Sequence, residues 1–318
     1  MVDRLLDRTI ALGYSRLGYS IRQRWWDRDD PAPDALTGKT VVVTGANSGI
    51  GAAIVDGAAR LGASVVMVVR DLERGESVRD RLAAAHPHAN LMVARCDVSD
   101  LTDIANVADR LRAHRPQIDA IIHNAGVLPD RWTGTAQGHE VSLATHVLGP
   151  ILLTELLLPA FAAAPDPRVV LMSSGGMYAQ PLPADDLEYQ SSGNYRGVTA
   201  YARSKRVQVD LTPALAGRWA GAGVMVAVMH PGWADTPGLS RALPGFRAVA
   251  KSLLRTPEQA ADTALWLAAT SPTPVTGQFW HDRAIRPTHL LPGRTGADAG
   301  EDAERAWRYC LAAVGLEP

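Results

Sequence analysis

Seven short, almost uninterrupted apolar runs punctuate the sequence: TVVVT (40–44), SVVMVV (64–69), LMVARC (91–96), AIIH (120–123), RVVLMS (168–173), VMVAVM (224–229) and GQFW (277–280). Between them lie stretches of helical character at 50–61, 72–85, 101–114, 138–163, 199–219 and 257–269. A strand that is apolar on both faces must be covered on both faces. Helices between parallel strands do this, because each crossover lays its helix on the sheet. Right-handed crossovers then give an α/β, doubly wound parallel sheet of about seven strands with helices on both faces. In such a sheet, ligands bind beyond the carboxyl ends of the strands, so chemistry is sought in the residues that follow each run.

The regular alternation defines one domain over 36–295. Ahead of it, 1–35 reads as an amphipathic helical extension. Leu6, Ile10, Tyr14, Leu17, Ile21 and Trp25 recur every three or four residues, with arginines around them, before a break at Pro31 and Pro33. A C-terminal helix is expected in 296–318. The 32 basic and 33 acidic residues leave a formal net charge of −1, which excludes a general attraction to nucleic acid. Cys96 and Cys310 form neither a disulfide framework nor a zinc spacing, and no histidine pair has a helical metal spacing, so no metal is expected. No apolar run approaches the roughly 20 residues that span a bilayer, and charges interrupt the N-terminal stretch. The expected compartment is the cytoplasm.

TGANSGIG (44–51) joins the first strand to the first helix. Glycines there let the backbone turn tightly and approach a pyrophosphate, toward which the helix N-terminus points its free amides. Gly45, Asn47, Ser48, Gly49, Ile50 and Gly51 are the expected phosphate-facing positions. The spacing is GxxxGxG rather than GxGxxG. The end of the second strand discriminates between nicotinamide cofactors. Arg70 is placed to clamp the 2′-phosphate of NADP(H), and Asp71, next in sequence, is placed to bind the ribose hydroxyls of NAD(H). NADP(H) is favoured and NAD(H) stays open.

YARSK (201–205) puts Tyr201 and Lys205 four residues apart on one helical face. Carbonyl reduction needs a proton donor beside the accepting oxygen, and an ammonium near a phenol lowers its pKa from about 10 toward working pH. Lys39, Lys205 and Lys251 are the only lysines in the chain, so one at this position is not background. The fifth run ends in Ser173-Ser174.

With its glycine turn, Asn124-Ala125-Gly126, Ser174 and YARSK, the sequence resembles the short-chain dehydrogenase/reductase family, whose sheet is Rossmann-type. The resemblance extends over nearly the whole chain. SSGGM (173–177), HPGWADTPG (230–238), LPGF (243–246), ADTALWLA (261–268), HDR (281–283) and THLLP (288–292) look like one group of members with a comparable N-terminal segment. The long loop 175–200 resembles the retinol-dehydrogenase-like members. The resemblance implies Ser174 as the residue that polarises the carbonyl and steadies the oxyanion, and Tyr201 as the proton donor. It gives Lys205 a bond to the nicotinamide ribose, Asp97 and Val98 an adenine contact, and Asn124, Ala125 and Gly126 a wall of the adenosine site. Pro231, Gly232 and Thr236 would lie along the nicotinamide and pyrophosphate. Where the family carries an asparagine that holds a relay water, this chain has His146, an expected fourth catalytic residue that can also hydrogen-bond a water or relay a proton; the alternative is an altered relay with His146 a buried polar residue.

Trp233, Leu239, Leu243, Pro244 and Phe246 make the following stretch apolar, matching an apolar or amphipathic carbonyl or alcohol. The expected activity is hydride transfer between NADP(H) and a retinal-, steroid- or lipid-aldehyde-like molecule by a homodimer or homotetramer. The alternative is a non-catalytic nucleotide-sensing or scaffold protein. For the N-terminal helix, packing on the core or a second subunit is expected ahead of a membrane surface.

Overall fold

A computed structural model describes residues 13–191, 193–235, 251–289 and 299–317, together with Asp3 and Leu6. Thr236, Leu239, Leu243, Pro244 and Phe246, singled out above, lie outside the described residues. Eight strands form one sheet in the order β3-β2-β1-β4-β5-β6-β7-β8. They are β1 (Thr40–Thr44), β2 (Ser64–Val69), β3 (Leu91–Arg95), β4 (Ala120–His123), β5 (Arg168–Met172), β6 (Met225–Met229), β7 (Gln278–His281) and β8 (Ala284–Ile285). Every pairing is parallel except the last, a hairpin that adds a two-residue edge strand to the seven expected. The order reverses between β1 and β4, which opens a crevice at their carboxyl ends.

The helices are α1 (Arg16–Arg22), α2 (Gly49–Arg60), α3 (Leu72–Ala85), α4 (Leu101–His114), α5 (Val141–Ala162), α6 (Gly197–Trp219), α7 (Pro257–Ala269) and α8 (Ala299–Ala313). Alternate residues of each strand serve opposite faces. Val42, Ile121, Val169 and Val226 pack with Ile104, Leu111, Leu153, Phe161 and Trp219 on the α4–α5–α6 side. Val41, Val43, Ile122, Val170 and Ala227 pack with Ile54, Ala58, Ala264 and Leu267 on the α2–α7 side. This two-sided burial is what the unbroken apolar runs demanded.

Two sequence expectations are corrected. First, α5 has 22 residues and is apolar enough to span a bilayer by length and composition. Most of it is buried against the sheet, α4 and α6, so its apolarity is that of a core helix. Second, among the described residues of the N-terminal stretch the expected apolar face is split: Leu6 and Tyr14 are buried, whereas Leu17 and Trp25 are not, and Ile10 lies outside the described residues. The helix α1 runs only from Arg16 to Arg22. It buries Gly18, Tyr19 and Arg22, while Leu17 and Trp25 are 49% and 56% exposed. A 3.6-residue period projects correctly only while the chain stays helical. Here a 3-10 turn at Gln23–Trp25 rotates Trp25 away from the face.

Gly149 lies inside α5 where the helix crosses the turn after β3. A Cβ there would stand 2.1 Å from the carbonyl oxygen of Val98, a backbone atom that cannot step aside. Gly149→Ala should therefore cost about 1–3 kcal/mol of stability, as overpacking does. A urea unfolding curve read by far-UV circular dichroism checks this, with the midpoint lowered and the slope unchanged.

Candidate active site

The glycine turn is shaped by contacts that exclude side chains. Gly45 has φ +65°, and a Cβ on it would lie 2.8 Å from the Cα of Ala125. A Cβ on Gly51 would lie 2.2 Å from the Gly45 carbonyl oxygen and 2.6 Å from Asn124 Nδ2. Below them, Thr44 Oγ1 accepts the amides of both Asn124 and Ala125 at 3.0 Å. Asn124 Nδ2 donates back to the carbonyls of Thr44 (3.0 Å) and Gly45 (3.3 Å). The turn after β1 and the segment after β4 are thus one clasped unit at the crevice. Thr44 escaped the sequence reading although it directly precedes the first glycine.

Ser48 begins α2 without a side-chain cap, whereas Asp71, Asp100 and Thr256 cap α3, α4 and α7. The first-turn amides of α2 are open to an anionic ligand, with Asn47 and Ile50 half-buried beside them. This cradle fits the pyrophosphate of a dinucleotide. Gly126 is exposed at the rim.

At the end of β2, the Arg70 side chain is 73% exposed, with Asp97 Oδ2 3.8 Å from its guanidinium. Asp71 turns the other way, accepting the Arg74 amide at 3.1 Å and pairing with the Arg74 guanidinium at 3.1 Å. Its carboxylate is committed to the start of α3, whereas Arg70, largely exposed and in only a long ion pair with Asp97, can turn to a ligand at this strand end. Asp97 accepts the Ser99 amide (3.0 Å) and hydroxyl (2.7 Å), so its own orientation is fixed by the turn. Val98 is half-buried beside it.

Ser174, Tyr201 and Lys205 come together at the carboxyl end of β5. The Ser173 hydroxyl is spent on the Lys205 carbonyl at 2.9 Å. The Ser174 hydroxyl accepts the Gly176 amide at 3.4 Å and lies close enough to the Tyr201 phenol to pull its pKa down slightly. Lys205 Nζ donates to the Met172 carbonyl at 2.6 Å and lies 5.6 Å from the centre of the Tyr201 ring. Burial lowers Lys205 to about 7. Burial likewise raises the Tyr201 phenol above its ordinary value, against a smaller pull downward from Ser174.

The expected lowering of the phenol by the ammonium is therefore not what this environment produces. Desolvation outweighs it, and the lysine is itself poised between charge states near neutral pH. Tyr201 is a protonated phenol, suited to giving up a proton rather than taking one.

His146 sits fully buried in a π-helical turn, Ala144–Leu148, within α5. Its Nε2 accepts the Val127 amide at 3.1 Å, which fixes the proton on Nδ1. Nδ1 then donates to Ser204 Oγ at 2.8 Å, and Ser204 donates to the Tyr201 carbonyl at 2.9 Å. Gln208 caps the His146 carbonyl at 2.6 Å. Burial and the nearby Lys205 charge hold the imidazole well below its ordinary pKa. The expectation that this side chain holds a relay water is corrected: both ring nitrogens are taken. The residue joins the Asn124-Ala125-Gly126 segment to the helix that carries Tyr201. Ser204 and Gln208 were invisible as partners because their role depends on a turn 58 and 62 residues away in sequence.

Pro231 and Gly232 follow β6 and are buried, with Gly232 at φ +79° over the guanidinium of Arg255. Trp233 is half-buried.

Comparison with known proteins gives a consistent family assignment. A short-chain dehydrogenase family model, described as enoyl-(acyl carrier protein) reductase, matches residues 45–282. Bovine dehydrogenase/reductase SDR family member 12 is 35% identical over 294 residues, covering 91% of this chain and 90% of the relative. Mouse retinol dehydrogenase 14 is 33% identical, covering 89% and 88%. Among solved structures, a candidate NAD(P)-dependent gluconate 5-dehydrogenase from Beutenbergia cavernae, with NADP bound at low occupancy, superposes with a TM-score of 0.63. It is 30% identical, covering 79% of this chain and 97% of its own.

The depressed lysine has a thermodynamic signature. With a folded pKa near 7 and an ordinary value of 10.5, the unfolded chain binds the extra proton between these limits. Stability contributed at this site is accordingly lowest below pH 7 and recovers as pH rises toward 10. Urea midpoints of wild type and Lys205→Met, compared at pH 7 and pH 9, should show wild type gaining on the variant at the higher pH.

Proposed function

The chain belongs to the short-chain dehydrogenase/reductase family, and from that membership we propose that it uses NADPH to reduce the carbonyl of an apolar or amphipathic small molecule. The observation that carries this reading is the convergence of Ser174, protonated Tyr201 and buried Lys205 at the strand end beside the clasped glycine turn. Relatives named as retinol dehydrogenases support an aldehyde or ketone of retinal-, steroid- or lipid-like character. The largely exposed guanidinium of Arg70, in only a long ion pair with Asp97, and the committed carboxylate of Asp71 support the phosphorylated cofactor.

When bound, the reduced nicotinamide supplies the hydride that reaches the carbonyl carbon. Its pyrophosphate would be held by the amides of the 45–51 turn and the start of α2, its 2′-phosphate by Arg70, and its nicotinamide end by Lys205 and the Pro231-Gly232 turn. Ser174 donates to the carbonyl oxygen and disperses the charge that develops there. The Tyr201 hydroxyl donates its proton to that oxygen, which becomes the product alcohol. Lys205, whose pKa lies near 7, would in its charged form stabilise the phenolate left behind until solvent returns the proton.

Side-by-side fluorescence titrations with NADPH and NADH test the cofactor. NADPH should bind more tightly, and Arg70→Ala should cost about tenfold to a hundredfold in NADPH affinity, the range of a lost charge-assisted contact, while NADH changes little. Equal loss for both cofactors would overturn the assignment of Arg70 as the 2′-phosphate clamp.

Tyr201→Phe should lower turnover on retinal or long-chain aldehydes by about a hundredfold or more while NADPH affinity stays within a few-fold. Wild type that binds NADPH tightly but turns over no aldehyde or ketone, with Tyr201→Phe indistinguishable from it, would favour the nucleotide-sensing alternative.

A further inference from the structure

Arg255 is buried, 24 residues beyond Pro231 in sequence, and lies directly beneath the Pro231–Trp233 turn. A Cβ on Gly232 would stand 2.3 Å from its Nε and 2.5 Å from its Cζ, so the glycine rests on the face of the guanidinium. The Arg255 amide donates to the Trp233 carbonyl at 2.7 Å, and the Asp235 amide donates to the Arg255 carbonyl at 2.9 Å. The main chain of 233–235 is thus laid alongside residue 255 as a short parallel bridge.

The guanidinium itself is held from the opposite side, by the N-terminal segment. Its Nε donates to the carbonyls of Tyr14 (3.1 Å) and Ser15 (3.3 Å), and one terminal nitrogen donates to the carbonyl of Gly13 (3.2 Å). Both terminal nitrogens bind the carboxylate of Asp282, at 2.5 and 2.8 Å. The same carboxylate takes Arg22 at 2.8 Å, and Arg22 also donates to the Gly13 carbonyl at 3.0 Å. Tyr14 closes the arrangement by accepting the Trp233 amide on its carbonyl at 2.9 Å.

Asp282 reaches this position from a two-residue hairpin turn in which Asp282 (φ 51°) and Arg283 (φ 56°) both adopt the left-handed conformation without being glycine. Such a backbone persists only where its surroundings enforce it. One fully buried carboxylate faces two fully buried guanidiniums, and their remaining donors go to the carbonyls of Gly13, Tyr14, Ser15 and Pro231, to His281 Nε2 and, from Arg22, to the carboxylate of Asp3.

We propose that Arg255 is the positioning residue for the Pro231–Trp233 turn, and that residues 13–22 are a structural half of that site, coupled to it through Arg22 and Asp282. The part of this inference that concerns cofactor rests on the functional reading above; the seating of the turn does not. Because Arg255 makes its contacts through a planar five-donor fork, a lysine in its place would keep the charge and lose the seat.

Hydrogen-exchange mass spectrometry on the full-length protein, without added cofactor, reads the seat directly. In Arg255→Lys, and in Arg22→Met as a milder change should the first fail to fold, peptides covering 231–235 should exchange about tenfold faster or more, as local opening does. Peptides from β1 and β4 should keep their wild-type protection. NADPH affinity should fall about tenfold, and KM for the carbonyl substrate should rise more than kcat falls.

Unchanged protection at 231–235 in a folded variant would overturn the proposal, as would a loss shared equally by the whole sheet. If wild type binds neither NADPH nor NADH, the functional reading fails while faster local exchange would still establish the seat.

Discussion

Everything at the crevice depends on how closely two backbones approach each other. The turn after β1 and the segment after β4 meet at a separation that leaves no room for a methyl group at Gly45 or Gly51. Thr44 and Asn124 satisfy the main-chain groups that this approach would otherwise strand, through four reciprocal hydrogen bonds. The open amides of α2 are aimed by this clasp, and Gly126 and Val127 leave it in a fixed direction. Val127 then sets the tautomer of His146, and His146 through Ser204 reaches the first turn of the helix bearing Tyr201. The glycine turn and the helix that carries Tyr201 are therefore two ends of one hydrogen-bonded path.

Burial sets the chemistry along that path. Among the described residues the Lys205 ammonium has one hydrogen-bond acceptor, a main-chain carbonyl at 2.6 Å, which does not offset the loss of water, and its pKa falls to about 7. His146 is kept neutral by the same means and serves as a fixed strut. The site separates groups that can change protonation at working pH from groups that cannot.

The strands, the glycine turn and the YARSK helix were legible in the sequence because each is encoded locally, by period, by composition or by a four-residue spacing. The β7–β8 turn was not, since Asp282-Arg283 lacks the glycine that usually announces a left-handed hairpin. Arg255 and Arg22 read as ordinary members of an arginine-rich chain; only tertiary structure reveals that they share a carboxylate. The failed projection of the N-terminal face has the same origin. Leu17 and Trp25 obey the period, but polar ties from Arg22 and the 13–15 carbonyls, rather than apolar burial, decide which side of α1 faces inward. For His146, the residue type suggested an acid–base role, and the two partners that cancel it come from other elements.

The ties of Arg22 to Asp282 and of Arg255 to Gly13 join residues 260 and 242 positions apart. A ribosome must deliver nearly the whole domain before either can form. Residues 13–22 are thus made long before their partners, and during synthesis their guanidinium and apolar side chains stay exposed to whatever the nascent chain encounters. Assembly of the nucleotide cradle, built from β1 through β4, can precede this closure. The order in which the two halves of the crevice mature is written into the distance along the chain between their supports.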